Sequence, residues 1–255
     1  MTWKAELDFA QHLADIADNV TLDGFARRVA ARTKDDGTPV TEADEAAERA
    51  MRAEILNTFP DHAVLGEEGG ETGDGPARWI LDPIDGTKNY AAGIPIWGTL
   101  IALEVDGEVV CGVISVPALG ERYAAARGAG AECNGRPIRV SAVSSLAEAR
   151  VSYTSFLAFE AYGRGPGWLA LSRQAAWSRG FGDCWGHMLV ASGRADVMAE
   201  PVVSIWDLAP IIVIVEEAGG RFTDLDGNRV IDGGSALSTN GRLHEAALDK
   251  LVSGP

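Results

Sequence analysis

Hydrophobic residues recur near the start of the chain at Leu7, Ala10, Leu13, Ala14, Ala17 and Val20, with polar residues between them. That spacing lines one face of a helix, so the stretch from Trp3 to Val29 is expected to be helical. A second helix is expected from Thr41 to Phe59, stopped by Pro60. Asp36-Gly37-Thr38-Pro39 between the two reads as a turn. Beyond Pro60 the pattern changes to strand-like segments at His62–Leu65 and Arg78–Leu81. Trp97, Thr99, Ile101, Leu103 and Val105 then alternate with their neighbours, and Asp106-Gly107 turns the chain into Val109–Val116. Glu121–Ala126 adds a strand and Asn134-Gly135 another turn.

The second half alternates more regularly. Strands are expected at 150–155, 178–181, 195–199, 220–224 and 236–239, and helices at 166–176, 183–192, 206–218 and 242–251. No internal repeat or low-complexity linker divides the chain. Two helices, a strand-rich block and then alternating units predict layered α/β sheets. One domain over 1–255 is expected, with an N-terminal α+β lobe to about 145 and a C-terminal α/β lobe from about 146.

Composition narrows the partners. The 255 residues suffice for a full core, and no apolar run approaches the ~20 residues of a membrane span. The first residues, Met1 to Glu6, lack a signal-peptide core, so a cytoplasmic location is expected. Three cysteines, Cys111, Cys133 and Cys184, stand at no metal-like spacing, which argues against a disulfide framework and a zinc site. The net charge of −15 disfavours nucleic acid and anionic membranes. It would also repel a phosphate ester unless bound cations reverse the local field.

Candidate chemistry gathers where the regular elements end. Gly66-Glu67-Glu68 follows one expected strand, and Asp82-Pro83-Ile84-Asp85-Gly86-Thr87 follows the next. In the latter, Pro83 stiffens the backbone and Gly86 permits close approach. Asp82, Asp85 and the carbonyl of Ile84 form an all-oxygen ligand set suited to hard cations. Gly86 and Thr87 could offer backbone N–H groups to a phosphate oxygen, especially if a helix starts there. Asp207 opens an apolar helix and by itself reads as a cap; Thr41 and Asp44 fit a capping box. The four histidines are scattered, and His187 reads as a packed or surface residue rather than a ligand. There is no Gly-x-x-x-x-Gly-Lys loop and no Gly-x-Ser-x-Gly elbow, which removes nucleotide-triphosphate and serine-hydrolase readings.

Together, Gly66-Glu67-Glu68, Asp82-Pro83-Ile84-Asp85-Gly86-Thr87 and Trp206-Asp207, with Val40-Thr41-x-x-Asp44 upstream and Glu216-Glu217-Ala218-Gly219-Gly220 downstream, resemble the signature of the inositol monophosphatase family. The resemblance spans essentially the whole chain. It implies an αβαβα sandwich of the inositol monophosphatase and fructose-1,6-bisphosphatase type, a homodimer, two or three Mg²⁺ ions and inhibition by lithium. It also implies metal ligation by Glu67, Asp82, the Ile84 carbonyl, Asp85 and Asp207. Thr87 paired with Asp44 would orient or deprotonate the attacking water, Glu67 would share in catalysis, and Gly86 and Thr87 would bind the phosphate.

Gly180-Phe181-Gly182-Asp183-Cys184-Trp185-Gly186 resembles the histidinol-phosphate phosphatase branch of that family. Asp183 stands where the sugar and inositol phosphatases usually place a small neutral or hydroxyl residue, and Glu200 matches a position that contacts the leaving group. Two carboxylates there suit a cationic leaving group such as histidinol, although Asp183 is open to a second reading as a helix N-cap. The alternatives are an inositol or broad sugar-phosphate phosphatase on the same metal centre, or a noncatalytic metal- or phosphate-binding regulator.

Overall fold

The computed structural model describes residues 3–34 and 37–253. Asp36 of the expected turn, and Met1 and Thr2 at the N-terminus, lie outside the described residues. Gly37 and Thr38 do close a turn with Lys34, between short paired strands at Arg32–Thr33 and Pro39–Val40.

The described helices are α1 (Lys4–Arg27), α2 (Glu42–Thr58), α3 (Thr87–Ala92), α4 (Phe156–Ala161), α5 (Gly165–Gln174), α6 (Asp183–Ala191), α7 (Ile205–Glu217) and α8 (His244–Ser253). An eight-stranded sheet runs in the order 136–137, 130–133, 121–126, 108–116, 98–105, 77–85, 63–66, 70–72. Only 63–66 and 77–85 pair in parallel within it. A five-stranded sheet runs 177–179, 150–153, 197–200, 236–239, 221–223, with strand 150–153 parallel to both of its neighbours.

Strand alternation explains the layering. Trp79, Leu81, Ile101 and Leu103 point to one face of the larger sheet, where α1 and α2 pack through Leu13, Ala14, Met51 and Ile55. Ile80, Leu100, Ala102 and Ile114 point to the other face, toward the apolar run Leu208–Val215 of α7 and Met188 of α6. Phe222 and Ala236 of the smaller sheet join that same core, so α6 and α7 lie between the sheets. The outer face of the smaller sheet packs Val151, Val197 and Leu237 against Trp168 and Leu171 of α5 and Ala247 and Leu251 of α8. The result is the five-layered αβαβα arrangement. Among the described residues, no helix is long and apolar enough to cross a membrane.

The expected elements recur within a few residues of their ends, with one informative exception. Strand 77–85 does not stop at Leu81; it runs on to Asp85 through a register break between the Asp82–Leu100 and Asp85–Gly98 pairs. The segment expected as a loop is therefore a bulged strand end. The short α3 and α4 carry too few turns for a periodicity signal.

Candidate metal and phosphate-ester site

The bulge is the first device that builds the site. Asp82 Oδ1 accepts the Ile84 N–H at 3.0 Å, and Thr99 Oγ1 donates to the Pro83 carbonyl at 2.8 Å. The Ile84 side chain is anchored among Tyr90, Trp97 and Ala43. These contacts turn Asp82 and Asp85 to the same side. Gly86 follows at φ +82°, in the left-handed region, and caps α3. A Cβ there would come within 3.2 Å of both Asp183 Oδ2 and the Ile96 carbonyl, so glycine is required for conformation and for space.

Asp207 arrives from the opposite side. Ser204 is the N-cap of α7, and its backbone N–H donates to Asp207 Oδ2 at 2.7 Å in a capping box. Asp207 is thus the third residue of the helix, and its other oxygen is left for the site. Asp82, Asp85 and Asp207 each present an oxygen within 4.8 Å of the others.

Glu67 lines the same cavity of about 700 Å³, together with Ile84, Gly86, Thr87 and Asp183. The turn that carries Glu67 is pinned from below by Glu48 of α2. Its buried carboxylate accepts the N–H groups of Glu68 and Gly69, both at 2.8 Å, and is itself bound by Arg52 at 2.7 Å. The sequence pattern placed Glu48 and Arg52 in a helix without signalling this role. Glu67 is engaged by Lys34, whose Nζ lies 2.8 Å from one oxygen each of Glu67 and Glu68. Burial works against the Lys34 charge, yet these two partners raise its pKa overall.

The electrostatics are those of acids crowded together without enough positive charge. Asp82 is pushed well above the carboxylate range by burial and by the charges of Glu67, Asp85 and Asp207. Burial and then Asp207 push Asp85 up to about 8, against the pull of the Cys184 N–H at 2.6 Å. Asp207 rises to about 7, chiefly by burial, with Glu200 and Glu67 adding to it. Three converging hard oxygen donors that repel one another match a divalent cation. Asp44 adds a second sign of fit, since its Oδ1 is buried without a hydrogen-bond partner.

Thr87 and Asp44 are not hydrogen-bonded to each other. The Thr87 hydroxyl donates to the Ile84 carbonyl at 3.0 Å. Asp44 Oδ2 is taken by the capping box, accepting the Thr41 backbone N–H at 2.8 Å and its hydroxyl at 2.5 Å. Burial is the main cause that brings Asp44 up to about 6.

The second acid pair separates. Asp183 faces the cavity, where Asn89 Nδ2 donates to its Oδ2 at 3.0 Å. It is not the N-cap of α6, a position held by Gly182; Asp183 is the first helical residue, at φ +55°. Burial, followed by Asp85 and Glu200, pushes it up to about 8, while Lys88 opposes the rise. Glu200 is buried behind it, one oxygen held by the Thr154 hydroxyl and the other by His187 Nε2 at 2.8 Å. His187 is packed, in line with its sequence reading, but its bond to Glu200 and that of Thr154 carry no periodic signal: Thr154 follows strand 150–153 and His187 comes from α6.

Comparison with known proteins agrees with this geometry. The model of the inositol monophosphatase family matches residues 3–254. A histidinol-phosphatase of Streptomyces coelicolor is 46% identical, covering 96% of this chain and 96% of its own. One from Mycobacterium tuberculosis is 45% identical over 98% of both chains. Among solved structures, an IMPase of Thermotoga maritima superposes with a TM-score of 0.90 at 32% identity, covering 98% of this chain and 97% of its own. The extragenic suppressor protein suhB of Bartonella henselae reaches 0.92 at 30% identity, over 98% of this chain and all of its own.

Proposed function

Because the chain belongs to the inositol monophosphatase family and is thereby a phosphomonoesterase, we propose that it hydrolyses histidinol phosphate to histidinol and phosphate. The observation that carries the reading is one cavity lined by the cluster of Asp82, Asp85 and Asp207 and, beside it, by a further acid, Asp183. The cluster suits cations that bind phosphate; Asp183 suits a leaving group with an ammonium.

In this reading Glu67, Asp82, Asp85, Asp207 and the Ile84 carbonyl hold two or three Mg²⁺ ions. Cations held there supply positive charge to the ester oxygens and lower the pKa of water. The chain's own residues do the rest. Asp44, largely ionised at neutral pH, accepts a proton at its free Oδ1. Thr87 Oγ1, fixed by its bond to Ile84, orients the attacking water beside it. The backbone at Gly86 and Thr87 seats the phosphate. Asp183 receives the substrate ammonium, which offsets the burial, and the repulsion from Asp85 and Glu200, that raise its pKa. The family resemblance supports a homodimer, and a small-molecule substrate fits a cytoplasmic enzyme.

The experiment is a Mg²⁺-dependent phosphate-release panel of histidinol phosphate, inositol 1-phosphate, fructose 1,6-bisphosphate and adenosine 3′,5′-bisphosphate. Histidinol phosphate is expected to give the highest kcat/KM. Equal or faster turnover of the polyol esters would move the assignment to an inositol or sugar-phosphate phosphatase. No hydrolysis of any ester would favour a binding role.

A further inference from the structure

Behind Asp183 lies a buried polar chain that the metal chemistry does not use. Ser238 Oγ lies 2.6 Å from His187 Nδ1, and His187 Nε2 lies 2.8 Å from Glu200 Oε2. The Thr154 hydroxyl donates to the other Glu200 oxygen, and Thr154 Oγ1 accepts the backbone N–H of Asp183 at 3.0 Å. His187 and Ser238 are each 0% exposed and Glu200 is 5% exposed, so water does not substitute for these partners. An ionised carboxylate only accepts, so in either protonation state of the ring it is Nε2–H that donates to Glu200.

The far end of this chain meets an unusual backbone. Asp183 is a non-glycine residue at φ +55°, a conformation that needs support from its surroundings. That conformation aims the Asp183 carboxylate into the cavity, beside Gly86 and within reach of Asn89. The same first turn sends the Cys184 N–H to Asp85.

We infer that His187 is a positioning residue for substrate selection: by fixing Glu200, and through it Thr154, it holds Asp183 in the geometry that receives a cationic leaving group. Glu200 then acts from behind the pocket wall, both of its oxygens occupied. This rests on the reading of histidinol phosphate as substrate. It assigns the discrimination to a chain of groups that ends outside the cavity at Ser238.

Two amides of different reach test it. His187→Gln places its amide nitrogen about where Nε2 stands and keeps the bond to Glu200; His187→Asn stops short, near Nδ1. Both variants are first checked by thermal melting, and KM and kcat are then measured for histidinol phosphate and inositol 1-phosphate. His187→Asn is expected to raise KM for histidinol phosphate about tenfold more than KM for inositol 1-phosphate, with kcat changed less. His187→Gln is expected to restore most of the difference, and Ser238→Ala to show a weaker form of the Asn effect. The inference is overturned if both amides keep the wild-type ratio of the two KM values, or if both lose it equally. A wild-type protein that already prefers inositol 1-phosphate sinks the substrate reading instead, so the two failures are distinct.

Discussion

Asp82 and Asp196 are equally removed from water, at 1% and 0% exposure, yet they titrate in opposite directions. Burial raises the pKa of both. At Asp196 the fork of Arg150, with Nε and Nη2 each 3.0 Å from a carboxylate oxygen, reverses that effect. The Arg150 backbone N–H and the Ser141 hydroxyl add to it, and the carboxyl ends below its ordinary range. At Asp82 the neighbours are Glu67, Asp85 and Asp207, and the carboxyl is driven up. The fold thus has the means to neutralise a buried acid and uses them at Asp196. At the cluster it leaves the repulsion for a bound cation to remove, and that unrelieved repulsion marks the site.

The sharpest way to break this contrast is to neutralise one acid of each kind. Asp85→Asn is expected to lower phosphate release at least about a thousandfold, with the fold retained, since it removes a proposed cation ligand and relieves crowding. Assay and circular dichroism of one preparation check both halves. Asp196→Asn is expected to do the reverse. It leaves Arg150 without its buried partner and costs about 3 kcal/mol of stability in denaturant unfolding, with kcat near wild type. Equal loss of activity in the two variants would erase the distinction.

Sequence patterning pointed to Asp82 and Asp85, because Pro83 and Gly86 punctuate the strand end that carries them. Asp207 by itself reads as a helix cap, and it and Glu67 join the expected ligand set only through the family resemblance. Patterning also reached layered α/β sheets, since strand alternation and helical spacing were strong in the long elements; the five αβαβα layers are what the family resemblance implies. It did not reach Glu48, which looks like any helix-surface acid until the turn at 67–69 is seen resting on it. Nor did it reach the bonds of Thr154 and His187 to Glu200: Thr154 follows strand 150–153, which pairs in parallel with 197–200, and His187 comes from α6. Long-range partners of this kind leave no local period.

A weaker effect separates Asp183 from the cluster beside it. Asp183→Asn is expected to raise KM for histidinol phosphate about tenfold while changing kcat much less, because the proposed role of Asp183 is to receive the leaving group and not to hold a cation. Steady-state kinetics with both ester classes check it; an unchanged KM would remove Asp183 from the pocket.

The smallest effect is thermodynamic. Asp85 at about 8 and Asp207 at about 7 keep protons in the folded chain that an unfolded chain, at 3.8, has already lost. Stability of the chelator-treated protein therefore falls as pH rises through 7 to 8. His244, lowered to about 4 by burial, works the other way only below pH 6.5, so it is silent in this window. Melting in chelator is expected to occur about 4 °C lower at pH 8.5 than at pH 6.5, and excess Mg²⁺ to remove the difference. A melting point that rises with pH in chelator would contradict the electrostatic picture of the cluster.

The central claim, that the acids at Asp82, Asp85 and Asp207 serve cation-dependent ester hydrolysis, is met most directly by following phosphate release from histidinol phosphate. Protein freed of metal by chelator is returned to graded Mg²⁺ during the assay. No release above background in chelator, with saturable recovery as Mg²⁺ is restored, is the predicted result; full turnover in chelator would contradict it.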